Sequence, residues 1–272
     1  MITSRPGLFG TITLRDVISG ERQLLISDQV QGGAYLDPPA SIVDPEARQG
    51  PGPISSSVYT LGWFLAGAQH PTGSGLMVGL GSGAGAIDLI YNFPGIDLTI
   101  IEIDPAVVDL AQRGFPLLEL YQDTGNLSII EADATEYLTN SKDRWDFALV
   151  DGYTGGQSVV TSYLPALCQR SDDIYVNCID TLGGESMLEV TKLLLDEGHE
   201  VQDVLRALPL HLLEDYPFPS KANWIITTVD PNSFSVENFL PYPDLDHPKA
   251  ALRRLTWDAF LESSARQYAA SA

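Results

Sequence analysis

The chain has 272 residues, of which 44% are apolar, and a formal net charge of −21. This length and apolar fraction suffice for an α/β domain with a small appendage and a sizeable core. The negative charge would repel phosphate backbones and anionic lipids, so we expect neither nucleic acid nor a membrane as a partner. A cationic substrate is compatible with the charge, although an acidic solvent-facing surface explains it equally well.

Targeting signals and metal motifs are not evident. No apolar run approaches the roughly twenty residues that a membrane span requires, and the first residues do not resemble a signal peptide. We therefore expect a cytoplasmic location. Cys168 and Cys178 lack C-x-x-C spacing, and the four histidines are scattered. The sequence thus predicts no disulfide framework and no bound metal.

The N-terminal segment differs in pattern from the centre of the chain. Residues 10–37 contain alternating apolar stretches around Ser19-Gly20, which predict β-hairpins. Residues 37–53 are rich in proline and glycine and predict a loop. A helix over 55–68, with a serine as its N-cap, is expected to lead into the first central strand.

The centre of the chain begins with a strand, a glycine-rich turn and a helix, predicted at 76–78, 79–85 and 84–91. Glycine suits such a turn because it adopts positive φ without steric cost and lets a ligand approach the backbone. A second strand at 98–101 ends in Glu102, whose carboxylate can accept hydrogen bonds from both ribose hydroxyls. The unit predicts a nucleoside site, and a tight turn without a ligand is the alternative.

The spacing of the glycines distinguishes two possible nucleoside ligands. An NAD-binding turn follows G-x-G-x-x-G, whereas Gly79, Gly81, Gly83 and Gly85 alternate. Alternating glycines followed by Glu-Ile-Asp-Pro resemble the pattern of class I methyltransferases and spermidine synthases. We therefore favour S-adenosylmethionine over NAD.

Two acidic residues follow the next predicted strands, at 127–130 and 145–150. Asp133 is placed to hydrogen-bond an adenine amino group and can also cap the helix that follows it. Asp151 is placed to hold an amine or to take a proton from it, and a simple Asp-Gly turn is the alternative. Because ligands collect at the carboxyl ends of parallel strands, both carboxylates are expected at one edge of the sheet.

The remaining predicted elements lie in the second half of the chain: strands at 174–177, 200–204 and 224–228, and helices at 185–195 and from Pro248 to 261. The alternation of strands and helices predicts one parallel sheet. Residues 208–222 predict a lid or linker, in which Tyr216 and Phe218 can cover a substrate cation or pack on the sheet. The last helix is expected to dock on the body or on a second subunit, and we expect a homodimer.

The pattern as a whole predicts an α/β fold, with a Rossmann-like class I methyltransferase sheet and a small N-terminal β-hairpin domain. We place the N-terminal hairpins and the Pro/Gly linker at residues 1–54. The S-adenosylmethionine-binding transferase domain, with its C-terminal helix, is predicted at residues 55–272.

From residue 76 to about 177 the chain resembles the spermidine synthase-like family of class I S-adenosylmethionine-dependent transferases. The resemblance implies that Asp151 is the catalytic acid and that S-adenosylmethionine, or its decarboxylated form, is the cofactor. It implies cofactor contacts from Gly79, Gly81, Ser82, Gly83, Glu102, Ile103, Asp133 and Ala134. It also implies contacts to a small-molecule acceptor, which can be cationic, from Gln31, Tyr59, Tyr153, Thr154 and Tyr216.

Three departures from the family pattern concern the aminopropyl donor and the diamine. Ser82 stands where aminopropyltransferases have an acid that binds the aminopropyl group, and Thr154 stands where they have an acid that helps bind the diamine. Tyr59-Thr60-Leu61 replaces a Tyr-His-Glu element. A buried ammonium that loses its carboxylate is strongly destabilised.

We therefore expect methyl transfer to an amine or other small nucleophile as the main function. The first alternative is a polyamine aminopropyltransferase that uses decarboxylated S-adenosylmethionine, with Asp88, Asp180 or Asp215 replacing the missing acids. The second is a non-catalytic nucleoside-binding protein.

Overall fold

The structure is a computed structural model that describes residues 2–17, 21–35, 60–151, 153–154, 157–158, 160–180, 185–201, 203–207 and 222–229. Several predictions fall outside these ranges: the loop at 37–53, the first residues of the helix at 55–68, most of the segment at 208–222 and the C-terminal helix. The predicted boundary between residues 54 and 55 also lies outside them and stays a prediction.

An antiparallel sheet of four strands forms the N-terminal part of the described chain. Its strands are β1 (Ile2–Gly7), β2 (Gly10–Asp16), β3 (Glu21–Ile26) and β4 (Gln29–Tyr35), paired in that order. The hairpin prediction is confirmed for β2 to β4. The sequence analysis missed β1, which is polar and contains Pro6. An edge strand tolerates proline because its outer N–H groups need no partner in the sheet.

The other elements alternate along the chain. The strands are β5 (Ser74–Val78), β6 (Asp97–Glu102), β7 (Leu127–Glu131), β8 (Trp145–Val150), β9 (Tyr153–Thr154), β10 (Gln157–Ser158), β11 (Ser171–Asp180), β12 (Asp203–Ala207) and β13 (Ala222–Thr227). The helices are α1 (Thr60–Gln69), α2 (Ala84–Asn92), α3 (Pro105–Gly114), α4 (Pro116–Asp123), α5 (Ala134–Asn140), α6 (Val160–Cys168) and α7 (Glu185–Asp196). None of these described helices is long and apolar enough to cross a membrane.

Within the described ranges the central sheet has seven strands in the order β12-β13-β11-β8-β5-β6-β7. The five strands from β11 to β7 are parallel, whereas β13 runs antiparallel to both β11 and β12. The prediction of one parallel sheet is therefore wrong at β13. Antiparallel neighbours need no crossover helix, and the sequence pattern had indicated none between β12 and β13. The predicted strand at 200–204 also begins three residues too early.

The core lies on both faces of the central sheet, because successive strand residues point to opposite sides. Met77 packs with α1 to α4 and with Ile12 and Leu24 of the N-terminal sheet. Leu76 and Val78 instead pack with α5, α6 and α7. The N-terminal sheet thus shares one face of the core.

Polar contacts also attach the N-terminal sheet to α3. The N–H of Leu8, in the β1–β2 turn, donates to Oδ2 of Asp104 at 2.6 Å. Nη1 of Arg5 lies 2.5 Å from Oδ2 of Asp109. Because Asp104 lies two residues after the end of β6, these contacts bring the N-terminal sheet to the carboxyl edge of the central sheet.

Candidate active site

The glycine-rich turn leaves β5 and enters α2 with a backbone that requires glycine. Gly79, Gly81 and Gly83 have φ values of 94°, 52° and 74°, a region that L side chains rarely adopt. A Cβ on Gly79 would lie 2.8 Å from the carbonyl oxygen of Asp151, and one on Gly83 would lie 2.6 Å from a methyl of Leu118. The turn therefore requires glycine for two reasons: its φ angles are positive, and its neighbours leave no space for a side chain.

Ser82 lies inside this turn and is 2% exposed. Its Oγ accepts a hydrogen bond from the N–H of Ala84, in the first turn of α2, at 3.3 Å. The hydroxyl is thus held at the N-terminus of α2, next to the space that a ligand would occupy.

Glu102 ends β6, and its buried carboxylate is held by two backbone amides. Leu80 N–H donates to Oε2 and Asp104 N–H donates to Oε1, each at 2.9 Å. Burial raises the pKa of this carboxyl group, while the amide bonds oppose the effect. Since a carboxylate offers about four lone-pair sites, it can still accept hydrogen bonds from a ribose.

Asp133 caps α5, where its Oδ1 accepts a hydrogen bond from Glu136 N–H at 3.0 Å. This is the structural role that the sequence analysis considered, and a contact to adenine stays a prediction. Ile103 is 40% exposed, unusually open for a large apolar residue directly after a buried strand. An apolar side chain in that position can pack against the flat face of a base.

Asp151 follows β8 and is held from the neighbouring strand β11. Nδ2 of Asn177 donates to Oδ1 of Asp151 at 2.8 Å. Burial raises the pKa of Asp151 to about 6, although the Asn177 hydrogen bond opposes that rise. The group is therefore a stronger base than an ordinary aspartate and is still mostly ionised at neutral pH.

Two residues near Asp151 were missed by sequence reasoning. Asn177 is fully buried, and Tyr163 of α6 is 3% exposed with a hydroxyl that has no hydrogen-bond partner among the described residues. Burial, together with the Asp151 carboxylate, raises the pKa of the Tyr163 phenol. The available signal for Asn177 was a lone amide in the apolar strand Ile-Tyr-Val-Asn. No comparable signal marks Tyr163, because tyrosine is common in cores.

A cavity of about 310 Å³ lies beside the glycine-rich turn, near the lower end of the range for small-molecule sites. Nine of the predicted site residues line it: Gln31, Gly79, Gly81, Ser82, Glu102, Ile103, Asp133, Ala134 and Asp151. Phe9 and Ile26 of the N-terminal sheet contribute to the same wall. The structure thus brings both sheets to one site.

The other predicted site residues have different positions. Gly83 is the N-cap of α2 and does not line the cavity. Tyr153 and Thr154 form β9, and their side chains lie outside the described part, as do Tyr59 and Tyr216.

The proposed replacement acids lie elsewhere as well. Asp88 is buried in α2 and does not line the cavity, so the expectation that it replaces a missing acid is wrong. The side chain of Asp180 and the whole of Asp215 lie outside the described residues.

The charged side chains that line the cavity are all acidic. Glu102, Asp133 and Asp151 line it, and none of the described lining residues is a lysine, arginine or histidine. A concave wall with three carboxylates attracts cations. Fold and site together define an α/β protein with an acidic cavity at the carboxyl edge of its central sheet.

Comparisons with known proteins refine this class. No family model matches the chain. The polyamine aminopropyltransferase of Neisseria meningitidis serogroup A is 33% identical over 136 residues, which are 49% of this chain and 45% of that protein. The polyamine aminopropyltransferase of Clostridium beijerinckii is 27% identical over 109 residues, 38% of each chain. The matches therefore span less than half the length of these curated relatives.

Solved structures extend the likeness to nearly the whole chain. A probable spermidine synthase from Corynebacterium glutamicum superposes with a TM-score of 0.64 at 13% identity, covering 94% of this chain and 86% of that one. Spermidine synthase from Thermotoga maritima gives 0.59 at 14% identity, with coverages of 94% and 83%. At such identities the likeness establishes the fold, and the predicted Rossmann-like class I methyltransferase fold is confirmed.

The chain is thus similar to polyamine aminopropyltransferases in part of its sequence and to spermidine synthases in its fold. The curated relatives are named for aminopropyl transfer. They favour the alternative of the sequence analysis over methyl transfer, which no comparison supports as the main function.

Proposed function

We propose that this chain is a polyamine aminopropyltransferase that moves the aminopropyl group of decarboxylated S-adenosylmethionine to an amine. The observation that carries the proposal is the cavity beside the glycine turn, where Glu102, Asp133 and Asp151 meet without a described cationic side chain. The similarity to polyamine aminopropyltransferases supports the same reaction.

The donor fits the residues of the turn. Glu102 is held in one orientation by Leu80 and Asp104, so it is prepared to bind a ribose. The donor carries a sulfonium and an ammonium, which suit the acidic wall. Intact S-adenosylmethionine has an additional carboxylate, for which the described part of the wall offers no countercharge. The charge of the cavity therefore favours the decarboxylated donor.

The acceptor amine binds beside Asp151. In this mechanism Asp151 takes the proton that the attacking amine must lose, and passes it to solvent afterwards. The amine nitrogen bonds to the carbon next to the sulfonium, the carbon–sulfur bond breaks, and methylthioadenosine leaves with the electron pair. The cavity contributes position and partial exclusion of water, because the sulfonium is already an activated leaving group.

Calorimetry with purified protein tests donor choice. We expect binding of decarboxylated S-adenosylmethionine and of methylthioadenosine, and weaker binding of intact S-adenosylmethionine. Mass spectrometry after incubation with a panel of polyamines should show the gain of an aminopropyl group. No binding of any nucleoside would refute both transferase functions and leave a non-catalytic role.

Methyl transfer is the second candidate, and Ser82 is the observation that favours it. A buried hydroxyl stands where the family pattern places an acid for the aminopropyl ammonium. We expect Ser82→Asp to shift binding further towards the decarboxylated donor, because it adds a carboxylate at the turn. A gain of methyl in the mass spectrum, with intact S-adenosylmethionine as donor, would establish this second function instead.

A further inference from the structure

Asn177 is an unusual residue for the middle of a buried sheet. β11 lies parallel to β8, with Val176 paired to Val150, so the residues that follow each of them are neighbours. Asn177 is fully buried between Val176 and Cys178, which are fully buried as well. An amide in such surroundings is costly unless it is hydrogen-bonded.

The contact that Asn177 makes is directed at the reacting group. Its Nδ2 donates to Oδ1 of Asp151 at 2.8 Å. Asp151 also has its backbone fixed, since its N–H donates to the carbonyl of Val78 at 3.1 Å. One carboxylate oxygen is thus held against the sheet, and the rotation of the side chain is restricted.

We propose that Asn177 is a positioning residue that orients the Asp151 carboxylate towards the acceptor amine and favours its ionised form. This inference rests on the proposed function for its catalytic consequence, and its structural part is independent of it. Neither the sequence pattern nor the comparisons assigned a role to Asn177.

The other groups near Asp151 donate no hydrogen bond to its carboxylate among the contacts that the structure describes. Tyr163 of α6 has a buried phenol without a described partner, and Cys178 follows Asn177 on β11. Glu102 and Asp133 line the same cavity, but an ionised carboxylate has no proton to donate to Asp151. Among the described side chains, Asn177 is the one that opposes the effect of burial on Asp151.

Removal of the amide should therefore raise the pKa of Asp151 above its value of about 6. Asn177→Leu keeps a similar size and removes the donor, and we expect an upward shift of about one pH unit or more. Asn177→Asp places a second carboxylate in contact with the first. The pair should then share a proton and titrate in two separate steps.

The decisive measurement is a carbon-13 NMR titration of the aspartate carboxyl groups. The Asp151 signal is assigned by its loss in Asp151→Asn, and circular dichroism checks that each variant is folded. Ser171→Ala is the matched control, because Ser171 is also buried on β11 but lies at the opposite end of the strand. We expect its Asp151 titration to match that of the parent chain.

The outcomes separate the two proposals. If Asp151 titrates at the same pH in the parent chain and in the folded Asn177 variants, the positioning role is refuted. If the pKa of Asp151 rises and aminopropyl transfer is observed, the loss of rate at acidic pH should begin at a correspondingly higher pH. Turnover should then recover when the pH is raised. If the shift appears without any transfer, Asn177 positions Asp151 and the proposed function fails.

Discussion

The burial of Asp151 makes the contribution of this single residue to stability depend on pH. Its pKa of about 6 means that the folded chain binds this proton more tightly than the unfolded chain does. The contribution of Asp151 to stability therefore falls as the pH rises from about 4 to above 6. The buried negative charge is therefore an energetic cost at neutral pH, where Asp151 is mostly ionised.

We expect Asp151→Asn to be more stable than the parent chain at pH 8 and to have no transferase activity. The amide keeps an oxygen that can accept the Asn177 hydrogen bond but carries no charge, so the gain is up to about 3 kcal/mol. The gain should vanish near about pH 4, where the aspartate is protonated as well. Urea denaturation at both pH values measures it, and retained binding of methylthioadenosine is the control. Equal stability at pH 8 would contradict the burial of the charge.

Glu102→Gln should weaken the binding of methylthioadenosine about ten- to hundredfold. The carboxylate accepts from two backbone N–H groups at once, whereas an amide would turn its own NH₂ group towards one of them. Glu131→Gln is the matched control, because Glu131 is exposed and pairs in register with Glu102 on the neighbouring strand. Calorimetry should show unchanged affinity for this control, and an equal loss in both variants would remove the special role of Glu102.

At the scale of elements, the glycine turn is required by its position next to β8 and not only by its φ angles. Gly79 and Gly125 have similar φ values, 94° and 81°. A Cβ on Gly79 would meet the backbone oxygen of Asp151, whereas a Cβ on Gly125 would have no atom within 4 Å. A comparison of Gly79 with Gly125 therefore distinguishes the cost of a positive φ from the cost of steric overlap.

Gly125→Ala should therefore cost about 1–2 kcal/mol of unfolding free energy, from the positive φ alone. Gly79→Ala should cost more and should also reduce nucleoside affinity, because either the turn or Asp151 must move. Denaturation and calorimetry on both variants provide the test. Similar losses of stability, with full affinity retained in both, would show that the turn can adjust.

Helices α4 and α6 show where sequence patterns were insufficient. Pro116 looks like a break after α3, yet proline fits the first turn of a new helix. α6 begins with β-branched residues and contains Pro165, which lowers its helix propensity. It nevertheless forms because Tyr163, Leu164 and Leu167 are buried against the sheet. Tertiary packing therefore outweighs the local preference in α6.

At the scale of the whole molecule, the net charge of −21 should influence stability and binding. Repulsion among like charges destabilises a compact state, and salt screens it. We expect the melting temperature to rise from low salt to about 0.15 M salt. We expect affinity for the cationic decarboxylated donor to fall over the same range. Methylthioadenosine has no sulfonium and is the control, and an equal salt effect on both ligands would exclude electrostatic attraction.

Assembly as a homodimer also stays a prediction, which light scattering would test.

The sequence by itself determined the βαβ unit with its glycine turn and the three carboxylates at the carboxyl edge of the sheet. These features are local, since a strand, a turn and the residue that follows are read from consecutive positions, and parallel strands end at the same edge. The tertiary structure alone decided that β13 is antiparallel and that Asn177 holds Asp151. It also decided that Phe9 and Ile26 close the cavity that begins at the glycine turn. Those contacts join residues far apart in the chain, and no periodicity records which strands become neighbours or which face of a distant sheet packs against a site.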